Sequence, residues 1–348
     1  MSKVRNEHAA KMAAALGEND TNIGDLRFIH TGYEPLNYAM TGRYDGGLPQ
    51  ARVIEVAGES STGKTALCVQ WMIETQQQGG AVGFIDWERS LSVGLAEEQG
   101  LNTEMPYWFY RKPKTWEEGN VQMKQFMMYI RDNNVIPPEA PILLIADSIA
   151  MSIPKSVLEK EMTEHSMNDT TALARVTSTG MKHTAAVCDQ YNATVIYINQ
   201  LREKPGVTYG DPRYTPGGKA PIFVPSVRLM LSREVVKDKT TKEILSQFIK
   251  VDVVKSKLTA PFKKCEIQMT FDEHGRPHFD YTLSLIEHLV KMNLLPAAGA
   301  RVTWLDGKSY FRKGLAEKID AENLYAQLKA LLPSKDVPKT EATELIAA

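Results

Sequence analysis

Gly58-Glu59-Ser60-Ser61-Thr62-Gly63-Lys64-Thr65 is the stretch whose reading decides the fold. It fits the pattern G-x-x-x-x-G-K-[ST] and stands between an apolar segment, RVIEVAG (52–58), and a helical segment from about Lys64 to Gln78. A strand that ends in this motif and resumes as a helix turns its backbone N–H groups inward around phosphate oxygens. The helix amino terminus adds a favourable dipole. In that arrangement Lys64 reaches the β- and γ-phosphates and Thr65 ligates Mg²⁺. The chain is expected to bind a nucleoside triphosphate.

Working outward, strands and helices alternate. AVGFID (81–86) is followed by a helix near Ser90 to Gln99, the short strand PYWFYR (106–111) and a helix from about Trp116 to Asn133. PILLIAD (141–147), a helix from about Thr171 to Tyr191 and ATVIYIN (193–199) continue the pattern. Strands that are apolar almost throughout belong to a parallel sheet covered on both faces. The fold class is therefore α/β, a doubly wound domain with a mostly parallel central sheet. After Pro225, three consecutive strands (226–233, 246–256 and 264–272) suggest an antiparallel extension of that sheet. From about Asp272 a helix near Tyr281 to Asn293, a hairpin through Val302 to Phe311 and helices to Leu332 suggest a small α+β carboxy-terminal domain. Residues 333–348 read as a mobile tail. At the other end, AAKMAAAL (9–16) reads as a short helix cut off by a polar linker. Such a helix cannot bury its own apolar face and must dock on its own body or on a neighbouring subunit. The expected division is 1–22, 23–271, 272–332 and 333–348.

Of the 348 residues, 43% are hydrophobic and 24% charged, which indicates neither disorder nor a repeat array. No apolar run approaches the roughly 18 to 20 residues that cross a bilayer. The charged start MSKVRNEH does not resemble a signal peptide, so a cytoplasmic location is expected. Cys68, Cys188 and Cys265 lie far apart in apolar segments and read as buried reduced thiols. The net charge of −1 gives no sign of a nucleic-acid partner, but local charge does. Eight lysines stand between Lys237 and Lys264 against Asp238, Glu243 and Asp252. The run reads either as a solvated strand edge or as phosphate contacts.

Asp147 closes the strand PILLIAD, where a carboxylate beside the phosphate loop holds the magnesium shell. Glu88 follows AVGFID and is placed to orient the water that attacks the γ-phosphate; Asp86 is a nearby competitor, one strand position more internal. Gln200 ends the strand ATVIYIN and either senses the γ-phosphate through its amide or caps a turn. The loop from Leu201 to Ala220 carries Arg202, Lys204, Arg213 and Lys219, with five glycines and prolines flanking Gly217-Gly218. It is too long for an ordinary connection, and glycines with cations suit a mobile grip on a phosphate backbone. A second long stretch, Ser152 to Thr170, leaves a strand end on the same rim. Two such loops on the nucleotide's rim suggest a ligand coupled to nucleotide state.

At this point the chain resembles bacterial and phage RecA recombinases from about Ile23 to Leu332. The residues that carry the resemblance are GGLP (46–49), GESSTGKT, FIDWE (84–88), LLIADSIA (143–150), PKSVLEKEM (154–162), INQLR (198–202), GDPRYTPGG (210–218), SVRL (226–229) and VVKSKLTAPFKK (253–264). The resemblance implies a RecA-type P-loop ATPase core with Glu88 as catalytic glutamate and Gln200 as γ-phosphate sensor. It implies DNA-binding loops around Met167 and from Arg202 through Lys204 to Gly217 and Gly218, with Arg175 near DNA. Lys255 and Lys257 match lysines that reach the neighbour's ATP, Phe223 an interface aromatic, and the amino-terminal helix a polymerisation element. Where the family has an aspartate and a tyrosine beside the adenine, this chain has Ser92 and Leu95. The implied function is a recombinase that uses ATP and Mg²⁺, forms a filament on single-stranded DNA and pairs it with a homologous duplex. A hexameric helicase and a DNA-binding scaffold without pairing activity are the alternatives.

Overall fold

A computed structural model describes residues 26–333, apart from 162, 164–168, 204–205, 207–212, 239, 273–274 and the side chain of 170. The expected amino-terminal helix, Met167, Lys204 and the tail from 334 lie outside the described residues.

Two short strands, β1 (Phe28–Ile29) and β2 (Leu48–Pro49), pair with each other. One sheet is then built from β3 (Val53–Gly58), β4 (Ala81–Asp86), β5 (Trp108–Arg111), β6 (Ile142–Asp147) and β7 (Ala193–Gln200). A small pair, β8 (Arg202–Glu203) and β9 (Arg213–Tyr214), precedes β10 (Val227–Lys237), β11 (Ile244–Ser256), β12 (Lys264–Phe271) and β13 (Pro277–Asp280). The order across the sheet is β13-β12-β11-β10-β3-β7-β6-β4-β5. From β10 to β5 the strands run parallel, and β11, β12 and β13 add to β10 antiparallel.

The α/β reading is thus realised, for the physical reason given. β3, β4 and β6 are buried at every position, so both faces need cover. One face packs Ile54, Val56 and Phe84 on Leu67, Trp71 and Met72 of the helix Lys64–Gln77. The other packs Val53, Ile85 and Tyr197 on Met123, Met127 and Met181 of the helices Trp116–Asp132 and Asp169–Gln190. Each fully buried side chain of this kind contributes roughly 1.5–3 kcal/mol. No helix among the described residues is long and apolar enough to cross a membrane. All three cysteines are buried and unpaired, and burial pushes the Cys188 thiol up to about 12.

The structure departs from the sequence reading in three places. β13 joins the sheet beyond position 271, so the expected boundary there falls between two strands of one sheet. The helix after β4 begins at Val93 rather than Ser90, because Asp86 draws the amides of Arg89, Ser90 and Leu91 into a turn and Ser92 caps the helix. The stretch after β6 holds a short helix, Lys155–Leu158.

The region after β13 shares the core of the sheet. Leu285, Ile286 and Leu289 of the helix Tyr281–Lys291, with Leu315 and Leu328 farther on, join the same apolar cluster as Trp71. Glu34, 2% exposed, ties this region to the amino-terminal side by accepting from Tyr325 Oη (3.0 Å) and Lys329 Nζ (2.8 Å). Glu34→Ala should lower stability by about 1–3 kcal/mol, the range for leaving such partners unmade. Equilibrium urea unfolding reads it; an unmoved midpoint would mean that water replaces both partners fully.

His288, beside Tyr44 Oη at 3.3 Å, is pushed down to about 4 by burial, with Lys291 adding to the effect. Because its folded value lies below 6.5, stability is fully present above pH 6.5 and declines as pH falls toward about 4. His288→Gln should flatten the urea midpoint across that window.

Candidate nucleotide site and nucleic-acid face

β3 ends in the phosphate loop at the middle of the sheet. Gly63 opens the helix Lys64–Gln77 in the left-handed region (φ 80°), which favours glycine, and Ile249 Cδ1 would have to give way to any Cβ there. No side chain caps this helix, which leaves its first amides to the loop. Thr62 Oγ1 donates to Glu59 O (2.9 Å), and Lys64 Nζ donates to Gly58 O (3.1 Å) and Glu59 O (2.6 Å). Ser60 and Ser61 form the outer turn, with Ser61 in the left-handed region at φ 60°. Burial lowers the Lys64 pKa, opposed by Asp147 and Glu88. The ammonium therefore gains strongly from any added negative charge.

Asp147, 1% exposed at the end of β6, accepts from Thr65 Oγ1 at 2.9 Å. Burial, and Glu88 next, push its carboxyl up to about 7. A buried carboxylate beside a hydroxyl oxygen fits a hard divalent cation, which would relieve that penalty. Among the described residues no group of three acidic, histidine or cysteine side chains could hold a metal alone. A cation here would be shared with phosphate oxygens and water, as magnesium commonly is.

The neighbouring strand ends bring in the remaining candidates. The backbone amides of Trp87 and Glu88 donate to Asp147 O at 2.7 and 3.1 Å, fixing the exit from β4. Glu88 Oε2 accepts from Gln200 Nε2 (2.9 Å) and Ser148 Oγ (3.2 Å), and Gln200 Oε1 accepts from Arg202 Nη2 (2.9 Å). Asp86 is spoken for: besides three backbone amides it accepts from Tyr110 Oη at 2.9 Å. Its oxygens are thereby engaged in the turn and the strand beside it.

A model of the RecA N-terminal domain matches residues 1–275. The chain belongs to the RecA family. Protein RecA of Clostridium beijerinckii is 29% identical over 353 aligned residues, covering 99% of this chain and 91% of that protein. Protein RecA of Bdellovibrio bacteriovorus is 32% identical over 285 residues (82% and 70%), and that of Thioalkalivibrio sulfidiphilus 34% over 255 (73% and 69%). The recombinase function and ATPase class expected of this chain stand accordingly.

Other RecA-like features lie apart from the chain's own phosphate loop. Lys255 pairs in register with Arg228, at the level of Glu55 on β3, and its Nζ donates to Ile222 O (3.0 Å) and Phe223 O (2.7 Å). Lys257 is exposed nearby, and Phe223 is 66% exposed. The sequence reading expects both lysines at a neighbouring subunit's ATP rather than at their own phosphate loop, and within the subunit Lys255 is engaged by the Ile222 and Phe223 carbonyls. Arg175 sits on the helix Asp169–Gln190, where it donates to Thr171 Oγ1 at 2.9 Å. Gly217 is buried and Gly218 (φ 73°) lies so close that a Cβ would stand 2.8 Å from Ala174 Cβ. These glycines press the loop begun by Arg202 onto the helix that carries Arg175. Sequence reasoning missed Ser148 and also Arg233, whose Nη1 donates to Ser61 O at 3.3 Å. Only the position after Asp147 could have suggested Ser148; Arg233 left no signal.

Asp86→Asn should lower stability by about 1–3 kcal/mol through weakened acceptance from the turn amides, while nucleotide binding persists. Thermal unfolding alongside fluorescent-nucleotide titration separates the two; loss of binding with an unchanged melting point would place Asp86 in the site instead.

Proposed function

We propose that this chain assembles as a filament on single-stranded DNA and, with ATP and Mg²⁺, catalyses homologous pairing and strand exchange with DNA-stimulated ATP hydrolysis. The observation that carries the proposal is the hydrogen-bonded series Ser148–Glu88–Gln200–Arg202. It joins the candidate general base to the first residue pair of the DNA loop through one amide.

In this reading the amides of Gly58 through Thr65 and the Lys64 ammonium bind the triphosphate, and Thr65 and Asp147 hold the cation. Bound magnesium supplies charge neutralisation at the phosphate oxygens. Glu88 takes up the proton of the attacking water. Gln200 has one amide to share between Glu88, the γ-phosphate and, through its oxygen, Arg202. A γ-phosphate that recruits this amide repositions Arg202, so the loop from Arg202 through Lys204 to Gly218 grips DNA according to nucleotide state. Arg175 and the stretch around Met167 complete the DNA face. Lys255 and Lys257 act on the ATP of the next subunit, so ATP sits at a subunit interface. The amino-terminal segment (1–22) makes the subunit contact, the ATPase core spans 23–271, and residues 272–332, whose β13 extends the core's sheet, form the smaller unit before the tail (333–348). The setting is cytoplasmic.

Strand transfer from a labelled duplex to a single-stranded oligonucleotide tests the proposal. Transfer should require ATP and homology and vanish in Lys64→Ala. Displacement regardless of sequence match would support a helicase, and ATP-dependent binding without transfer a scaffold. Glu88→Gln should cut DNA-stimulated hydrolysis by about 10²–10⁴-fold while ATP-dependent DNA binding survives. Lys255→Ala should reduce turnover chiefly in the assembled state; unchanged DNA-stimulated turnover would overturn the interface role.

A further inference from the structure

Glu55 is a carboxylate in the middle of the central strand, 1% exposed and flanked by the core residues Ile54 and Val56. Burying such a charge is unfavourable unless it is paired and hydrogen-bonded. Both oxygens are engaged: Oε1 accepts from Asn199 Nδ2 (3.0 Å) on β7, and Oε2 from Arg228 Nε (2.5 Å) on β10. Burial raises its pKa, opposed chiefly by Arg228. Apolar residues of similar volume commonly replace a buried ion pair without loss of stability. The fold alone does not call for this one.

Its neighbours indicate what uses it. Asn199 immediately precedes Gln200 and accepts from the Gln200 backbone amide (3.0 Å), while its Nδ2 also donates to Pro216 O (3.0 Å). One side chain thus holds both ends of the loop between Gln200 and Pro216. On the other side, Arg228 is the register partner of Lys255. The Lys255 ammonium is disfavoured by burial, by Lys257 and by Arg228, and favoured by Glu55. Glu55 therefore stands between the loop and the lysine, neutralising the cation that would otherwise repel it.

We propose that Glu55 is a positioning residue that couples the state of the loop after Gln200 to the placement of Lys255 at the next subunit's ATP. The inference rests on the trans role of Lys255 proposed above. When Gln200 moves, Asn199 moves with it and its grip on Oε1 changes. The charge that Glu55 offers Arg228 then changes, and with it the field at Lys255. Hydrogen bonds carry this coupling across β7, β3 and β10, and the register of β10 with β11 brings it to Lys255 on the fourth strand.

Mixed assemblies on single-stranded DNA separate a trans role from a structural one. Glu55→Gln subunits keep their own phosphate loop, and Lys64→Ala subunits keep a correctly placed Lys255. DNA-stimulated turnover of Glu55→Gln alone should fall on the order of ten-fold. Equal mixing with Lys64→Ala should raise turnover several-fold above the average of the two pure forms. Turnover at or below that average, or wild-type turnover from Glu55→Gln alone, overturns the inference. Lys255→Ala mixed with Lys64→Ala is the control. If it fails to complement, the trans lysine falls and this inference with it; if it complements and Glu55→Gln does not, the inference falls alone. Should Glu55→Gln not fold, Glu55→Asp, which keeps the charge but is too short to hold both partners, carries the same expectation.

Discussion

Asp147 is the residue on which the rest of the site depends, because it acts through both its backbone and its side chain. Its carbonyl accepts the amides of Trp87 and Glu88 and so fixes where the chain leaves β4. Its carboxylate accepts from Thr65 in the first turn of the phosphate-loop helix. The group that would hold the cation therefore also sets the distance from the phosphate loop to Glu88. Such burial of a carboxylate is unfavourable in isolation, as its displacement to about 7 reflects. A bound cation and triphosphate would turn that penalty into affinity, which is how a site can be strained when empty and tight when filled.

The parallel sheet was legible because its strands are buried on both faces and therefore apolar almost throughout. The phosphate loop was legible because its glycines answer a local backbone requirement. Strand position favours Glu88 over Asp86 as the candidate base, and Asp86 is engaged by three turn amides and Tyr110. That same turn was not legible, which is why the following helix was placed too early. β13 was missed because its four residues begin with proline and show no alternation; proline at the start of an edge strand is tolerated but leaves little pattern. Ser148 and Arg233 matter through partners distant in sequence. The Glu55 network has the same character: its partners stand 144 and 173 residues away. No local periodicity encodes a contact of that range.

Asn199 and Gln200 divide one strand end between two tasks. Successive side chains of a strand point to opposite sides. Gln200 meets Glu88 and Arg202, whereas Asn199 meets Glu55 and Pro216. A displacement of this strand end is therefore felt at Glu88 and at the root of the loop that Arg202 begins together. Two adjacent amides achieve a connection that neither could make alone.

Strand polarity explains why assembly enters the proposed chemistry. β10 runs parallel to β3, so the start of β10 lies beside the start of β3, and the phosphate loop lies at the far end. β11 returns antiparallel, which sets its final residues against the first residues of β10. Lys255 consequently stands level with Glu55, three positions before Gly58, or roughly 10 Å along the strand at about 3.3 Å per residue. Its ammonium already reaches the carbonyls of Ile222 and Phe223, in the direction of the exposed Phe223 ring rather than of Lys64. Moving it to its own phosphate loop would require undoing the β10–β11 pairing. A second copy of the chain that covers Phe223 could meet the same lysine without disturbing any strand, which is the geometry the proposed role between subunits needs.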